Sequence, residues 1–199
     1  RLATGPAMTI CLIDGYFDHR PAVRHKEILL LLSDGFRILG ASSIGALRAA
    51  EMQAFGMIGV GDIFRGYARG TIEGDDEVAL IHADADLDWR PLSLPLVDVR
   101  ATLCSARRHG IIGRDDARSL LKAAASIHYT DRHWQSVCAN GLSQVESRAL
   151  EDWLERGAVS QKRADAIACI RAAIEPAGAA RNRPQLVRTC FLDALAREC

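Results

Sequence analysis

The sequence has no surplus of either charge. Twenty-five Lys and Arg are matched by twenty-five Asp and Glu, which argues against broad electrostatic binding to nucleic acid or to an anionic membrane. Long hydrophobic runs are missing too. The run Leu29 to Leu32 is flanked by Lys26, Glu27 and Asp34, far short of a membrane span. Arg1 to Ala7 holds no apolar signal core. The six cysteines are scattered and form no C-x-x-C pair, so they read as reduced, mostly buried thiols of a cytoplasmic protein. There is no P-loop. Gly59-Val60-Gly61 lacks the third glycine of a dinucleotide fingerprint. His128, His133 and Cys138 fit no metal-ligand spacing. No metal and no cofactor is expected.

What is present is enough apolar residue, 49% of 199, to pack one domain or a domain with a subdomain. Met8 to Asp14 is a continuous apolar run closed by Asp14-Gly15, the pattern of a strand buried on both faces in a parallel sheet. A helix over Ala22 to Ser33 follows, with Gly35 in place to stop it. Phe36 to Ala41 is the second strand. Strand, helix and strand make a βαβ unit, so the Asp14-Gly15-Tyr16 loop and the turn after the second strand should share one sheet edge. Open α/β sheets bind ligands at that edge. A helix over Ser43 to Phe55, a glycine-rich break over Gly56 to Gly61, and a short helix over Asp62 to Arg69 come next. Gly70 to Asp76 reads as a solvated acidic loop, Val78 to Ile81 as a third strand, and Asp84 to Pro95 as irregular.

The rest is helical: Leu96 to His109, Arg114 to Ala125, Asp131 to Ala139, Gln144 to Arg156 and Ser160 to Ile174. Glu175 to Pro184 reads as a connector and Leu186 to Arg197 as a last helix. The expected class is α/β, a parallel-sheet N-terminal half followed by an all-helical C-terminal half. The expected division is 8–95 for the α/β core, 96–174 for a helical subdomain, and 175–199 for the connector and terminal helix.

The chemistry concentrates in Ile38 to Glu51, ILGASSIGALRAAE. Ala41-Ser42-Ser43-Ile44-Gly45 is close to a G-x-S-x-G elbow, which lifts a serine on a sharp strand-to-helix turn. Two readings stand. Ser43 is a nucleophile beside helix N–H groups, or Ser43 caps the helix and its small neighbours only ease packing. A serine nucleophile needs a base. Lys26 lies on an apolar side of the first helix beside Ala22, Val23, Leu29 and Leu30. Burial there would favour a neutral amine; a snorkelling lysine is the alternative. His25 could serve Ser43 instead, and Asp14 could orient a base or cap the following loop. Arg48 and Glu51 stand at i, i+3 and should pair. Asp75-Asp76-Glu77 could meet a metal or a basic partner.

Taken together, IDGYF (Ile13 to Phe17), HKEIL (His25 to Leu29), GASSIGALRAAE (Gly40 to Glu51), FGMIGVGDIF (Phe55 to Phe64), DDEVALIH (Asp75 to His82) and RPLSLPLVDVRATL (Arg90 to Leu103) resemble the TfuA family. The resemblance covers about half the chain in consistent order. It implies a partner of a YcaO enzyme in peptide backbone thioamidation, where sulfur replaces an amide oxygen. It further implies hydrolysis of a thiocarboxylated ThiS-type, ubiquitin-fold carrier protein to release sulfide through a Ser–Lys pair. Carried over by motif, the pair is Ser43 and Lys26. Ser42 stands where relatives often carry Ala, so two hydroxyls compete; Ser43 is preferred because it precedes Gly45 by two residues.

The expected oxyanion or substrate contacts are Ile44, Gly45, Asp14, Gly15, Tyr16 and Arg48, with Arg24 a second candidate cation. The expected partners are the YcaO enzyme, the carrier, and the peptide or protein substrate. A non-catalytic adaptor that binds the YcaO enzyme and its peptide is the second reading. A small-molecule esterase is the third, disfavoured because no convincing Asp and His follow the serine.

Overall fold

The computed structural model describes residues 8–14, 22–141, 144–175 and 184. Three strands, β1 (Thr9–Leu12), β2 (Arg37–Gly40) and β3 (Ile58–Gly59), form a parallel sheet in the order β1-β2-β3. Thr9 lies opposite Arg37 and Leu12 opposite Gly40, while Leu39 lies opposite Ile58. Between them run α1 (His25–Ser33) and α2 (Ile44–Met52). The fold class is α/β, as the sequence predicts. The third strand is a correction: it falls at Ile58–Gly59 inside the glycine-rich break, not at Val78 to Ile81. Val78 and Ala79 are buried, so their apolar character reflects core packing without strand pairing. Beside them, His82 makes only an isolated antiparallel bridge to Pro91.

Alternation along β2 sorts its side chains to two faces. Ile38 packs with Ile28 and Leu32 of α1 and with Ala49 and Met52 of α2. Leu39 and Ala41 pack with Cys169 of α8 (Gln161–Ile174) and with Cys11, Ile58 and Val60. The sheet is therefore covered on both sides, which is why β1 reads as a continuous apolar run. Two polar contacts lock α8 in place. Arg37 donates to the carbonyls of Ala172 (3.0 Å) and Glu175 (3.2 Å), capping the negative end of the helix. Buried Asp165 accepts from the Ile63 N–H at 2.8 Å, at the N-terminus of α3 (Gly61–Ala68), where a carboxylate is favoured by the orphan N–H groups.

By contact the chain forms two compact units, 1–72 with 163–199, and 73–162. The expected divisions after 95 and 174 fall inside these units. The second unit is built on α4 (Leu96–Arg108), α5 (Arg114–Ser126), α6 (Trp134–Gly141) and α7 (Gln144–Gly157), around Leu96, Val99, Leu103, Leu120, Val137 and Leu150. Asp131 opens no helix; it closes a short 3-10 turn, and α6 begins at Trp134. Arg132 between them is 0% exposed. Its guanidinium donates to the carbonyls of Ala124, Ile127 and Leu94, satisfying the last turn of α5 from outside. Burial lowers its pKa, which Asp76 and Glu77 partly offset.

The acidic stretch over Asp75 to Glu77 is likewise not a simple solvated loop. It forms a 3-10 turn, and Glu77 is buried against Arg100 in a two-bond pair of 2.9 and 2.8 Å, the geometry that makes arginine–carboxylate pairs strong.

Asp98 of α4 accepts from the Lys162 N–H at 3.0 Å. Burial raises its pKa from 3.8, and hydrogen bonds from Lys162 and Ser160 only partly counter this. A carboxyl whose folded pKa is raised stabilises most below its unfolded pKa and loses that contribution as pH rises through the folded value. Asp98→Asn keeps an oxygen acceptor and removes the titration. The denaturation midpoint of the wild type should therefore fall, relative to the variant, as pH climbs above 3.8. Parallel pH profiles of the two midpoints would contradict this.

Candidate active site

The strand-to-helix turn follows from which residues can bend without clashing. After Gly40 the ladder continues for one bond, Ala41 N–H to Leu12 carbonyl at 3.1 Å. Ser42 then turns the chain with φ +72°, a left-handed value uncommon for any residue but glycine. Ser43 (φ −127°, ψ −125°) is the N-cap of α2. Its N–H donates to the carbonyls of Ile13 (3.1 Å) and Ala41 (2.9 Å), and its carbonyl accepts from Ala46 and Leu47. Spacing predicts the elbow residue at Ser43; the backbone puts the sharpest bend one residue earlier.

Close packing explains the small residues. A Cβ on Gly45 would run into the Leu12 carbonyl, and one on Gly40 into the Gly45 carbonyl, Met57 and Ala49. Glycine at 45 thus lets the first turn of α2 lie directly on the end of β1.

Ser43 is 4% exposed, yet its hydroxyl makes no cap hydrogen bond. This departs from the simple capping alternative, since an N-cap serine ordinarily bonds the N–H two or three residues on. Among the described residues, no acceptor takes the N–H groups of Ile44 or Gly45. A helix start of this kind attracts an anion or a developing oxyanion.

The Ser43–Ile13 bond brings the end of β1, and with it Asp14, beside the turn, as the shared sheet edge predicts. Asp14 itself is exposed. Gly15 and Tyr16 lie outside the described residues, as do most of the expected connector and the expected last helix.

The expected environment of Lys26 requires correction. The side chain is exposed, because α1 begins at His25 and turns Ile28 and Leu32 to the core instead. His25 is committed to Glu51, Nε2 to Oε2 at 2.8 Å. Glu51 lies eight residues beyond Ser43, about 12 Å along the helix axis, so His25 is held two turns from the bend. Arg48 bonds Glu51 at 2.7 Å, the expected i, i+3 pair, and also the Val23 carbonyl at 3.0 Å. Glu51 thus ties the start of α1 to α2, a role that only the three-dimensional placement of His25 discloses. Two of the described thiols are poor nucleophiles: burial, then neighbouring Cys11, raises Cys169 to about 12, and burial raises Cys138 to about 11, above the range of a reactive thiolate.

Residues 14–133, more than half of the chain, match the family model described as TfuA-like protein. No curated protein matches the chain.

Proposed function

Because the chain belongs to the TfuA-like family, whose members accompany YcaO-type enzymes, we propose that it serves a YcaO enzyme in peptide thioamidation by hydrolysing a thiocarboxylated, ubiquitin-fold carrier of the ThiS type and releasing sulfide. The observation that carries the reading is Ser43: a buried serine at a helix start, its hydroxyl unused as a cap, beside two N–H groups with no described acceptor.

The carrier's flexible tail enters at the sheet edge beside Asp14. Lys26 takes the Ser43 proton as Ser43 Oγ attacks the terminal carbonyl carbon. The N–H groups of Ile44 and Gly45 bind the oxyanion. The C–S bond breaks, and Lys26 returns the proton to the departing sulfide. Water then cleaves the ester, leaving an ordinary carboxylate on the carrier. A thiocarboxylate is an anion and resists attack, so the positive end of α2 matters at both stages. In this scheme the bound tail supplies the desolvation that the exposed Lys26 does not have in the free protein.

The experiment is sulfide release from purified carrier thiocarboxylate. Lys26→Ala should lower the single-turnover rate by about a hundredfold, and Lys26→Arg, which cannot deprotonate, should not restore it. Undiminished release by Lys26→Ala removes it from the mechanism. The exposure of Lys26 favours the second reading, a non-catalytic adaptor that binds the YcaO enzyme and its peptide. Tighter peptide binding by the enzyme, with no sulfide released by the wild type, would select that reading.

A further inference from the structure

Residues 81–92 form a closed excursion in the second unit. Its neck is held by Leu92 N–H to the Ile81 carbonyl (2.7 Å), Ala83 N–H to the Arg90 carbonyl (2.9 Å) and Ile81 N–H to the buried Ser93 hydroxyl (2.8 Å). Its tip is a 3-10 turn, Ala85–Leu87, followed by Asp88 at φ +53° and Trp89 at φ +52°. Left-handed backbone at a bulky residue carries an energetic cost. Burial does not recover that cost. Trp89 is 50% exposed, and Leu87, Leu92 and Ile81 are exposed with it. The indole rests edge-on against His82, ring centres 5.3 Å apart. Asp84, Asp86 and Asp88 lie in the same loop, all exposed and none in an ion pair among the described residues, and outnumber the one exposed cation, Arg90.

We propose that this loop is the docking knob for the YcaO-type enzyme, and that the enzyme offers it an apolar pocket rimmed by Lys and Arg. The inference rests on the partnership proposed above. An exposed Trp with aliphatic side chains and carboxylates in the same loop has the composition of a binding hot spot. The three carboxylates choose among occupants. A second copy would set this acidic loop against itself in a two-fold pairing, at a repulsive cost. An anionic membrane surface would repel it. The carrier is met by the α2 turn in the other unit. A partner with a basic rim gains affinity from the indole and association rate from the carboxylates.

The test is binding of the full chain to its YcaO enzyme, without carrier, by surface plasmon resonance at two salt concentrations. Trp89→Ala should weaken binding about thirtyfold, with Trp89→Phe recovering part of it. The Asp84→Asn, Asp86→Asn, Asp88→Asn triple variant should slow association and flatten its salt dependence. Both variants should release sulfide from carrier at the wild-type rate when the enzyme is absent. Wild-type affinity in Trp89→Ala, no binding by the wild type, or a Trp89-dependent self-association would each overturn the proposal. A wild-type chain that binds the enzyme through Trp89 yet releases no sulfide leaves the knob standing and removes the hydrolase reading.

Discussion

Ser43→Ala should abolish sulfide release from a carrier thiocarboxylate while leaving the fold almost untouched. The two halves of that expectation come from one observation. If Ser43 were only a cap, its loss would cost about 1 kcal/mol and nothing chemical. The hydroxyl makes no cap bond, so the denaturation midpoint should move by no more than a surface substitution would move it, about 0.5 kcal/mol. As the nucleophile, however, it is the atom through which the acyl group passes, and single-turnover release should fall by at least about a hundredfold. Ser42→Ala is the companion. Ser42 bears the left-handed backbone, and an elbow nucleophile ordinarily occupies the sharpest part of the turn. Wild-type release by Ser42→Ala with loss in Ser43→Ala fixes the role on Ser43. The reverse pattern moves it one residue back, and a large stability loss in Ser43→Ala with activity retained would restore the capping account.

Gly45→Ala should be the most damaging methyl addition among the described glycines of the first unit. The new Cβ would occupy the space of the Leu12 carbonyl, and backbone on both sides cannot swing aside as a side chain could. The end of β1 and the first turn of α2 would have to separate. Overpacking of this sort costs up to about 3 kcal/mol, more when backbone must move, or a fall in melting temperature of about 10 °C for a chain of this size. Alanine is the better helix former, so propensity alone predicts a gain. The sign of the shift in thermal denaturation therefore separates packing from propensity. Sulfide release should also drop in whatever fraction remains folded, because the Ile44 and Gly45 N–H groups would shift with the turn.

Much of the first unit was legible because its residues obey local rules. The apolar run at Met8 to Asp14, the stop at Gly35 and the small residues after β2 each have one inexpensive conformation. The placement of β3 was not legible. Ile58–Gly59 is two residues long and sits among glycines that read as a break, while Val78 and Ala79 imitate a strand by being buried. Lys26 misleads for a related reason. Its i+3 and i+4 neighbours are apolar, but α1 turns Ile28 and Leu32 inward, and a stripe of two leaves the adjacent lysine outside. Asp165 gave no signal: its meaning lies in an N–H more than a hundred positions away. The pairing of Arg48 with Glu51 was legible from their positions on one helix, whereas the partnership of Glu51 with His25 needed the packing of two.

The packing of α8 on the sheet sets a timetable for synthesis. The first unit draws its final layer from residues beyond 162, so the faces of Leu39, Ala41 and Ile58 stay bare while the ribosome makes the ninety residues between. A nascent chain in that interval is an open, half-clad sheet with strand edges available for wrong pairings. The turn that carries Ser43 is therefore finished late, when Arg37 and Ile63 at last receive the helix that holds the strands beneath it.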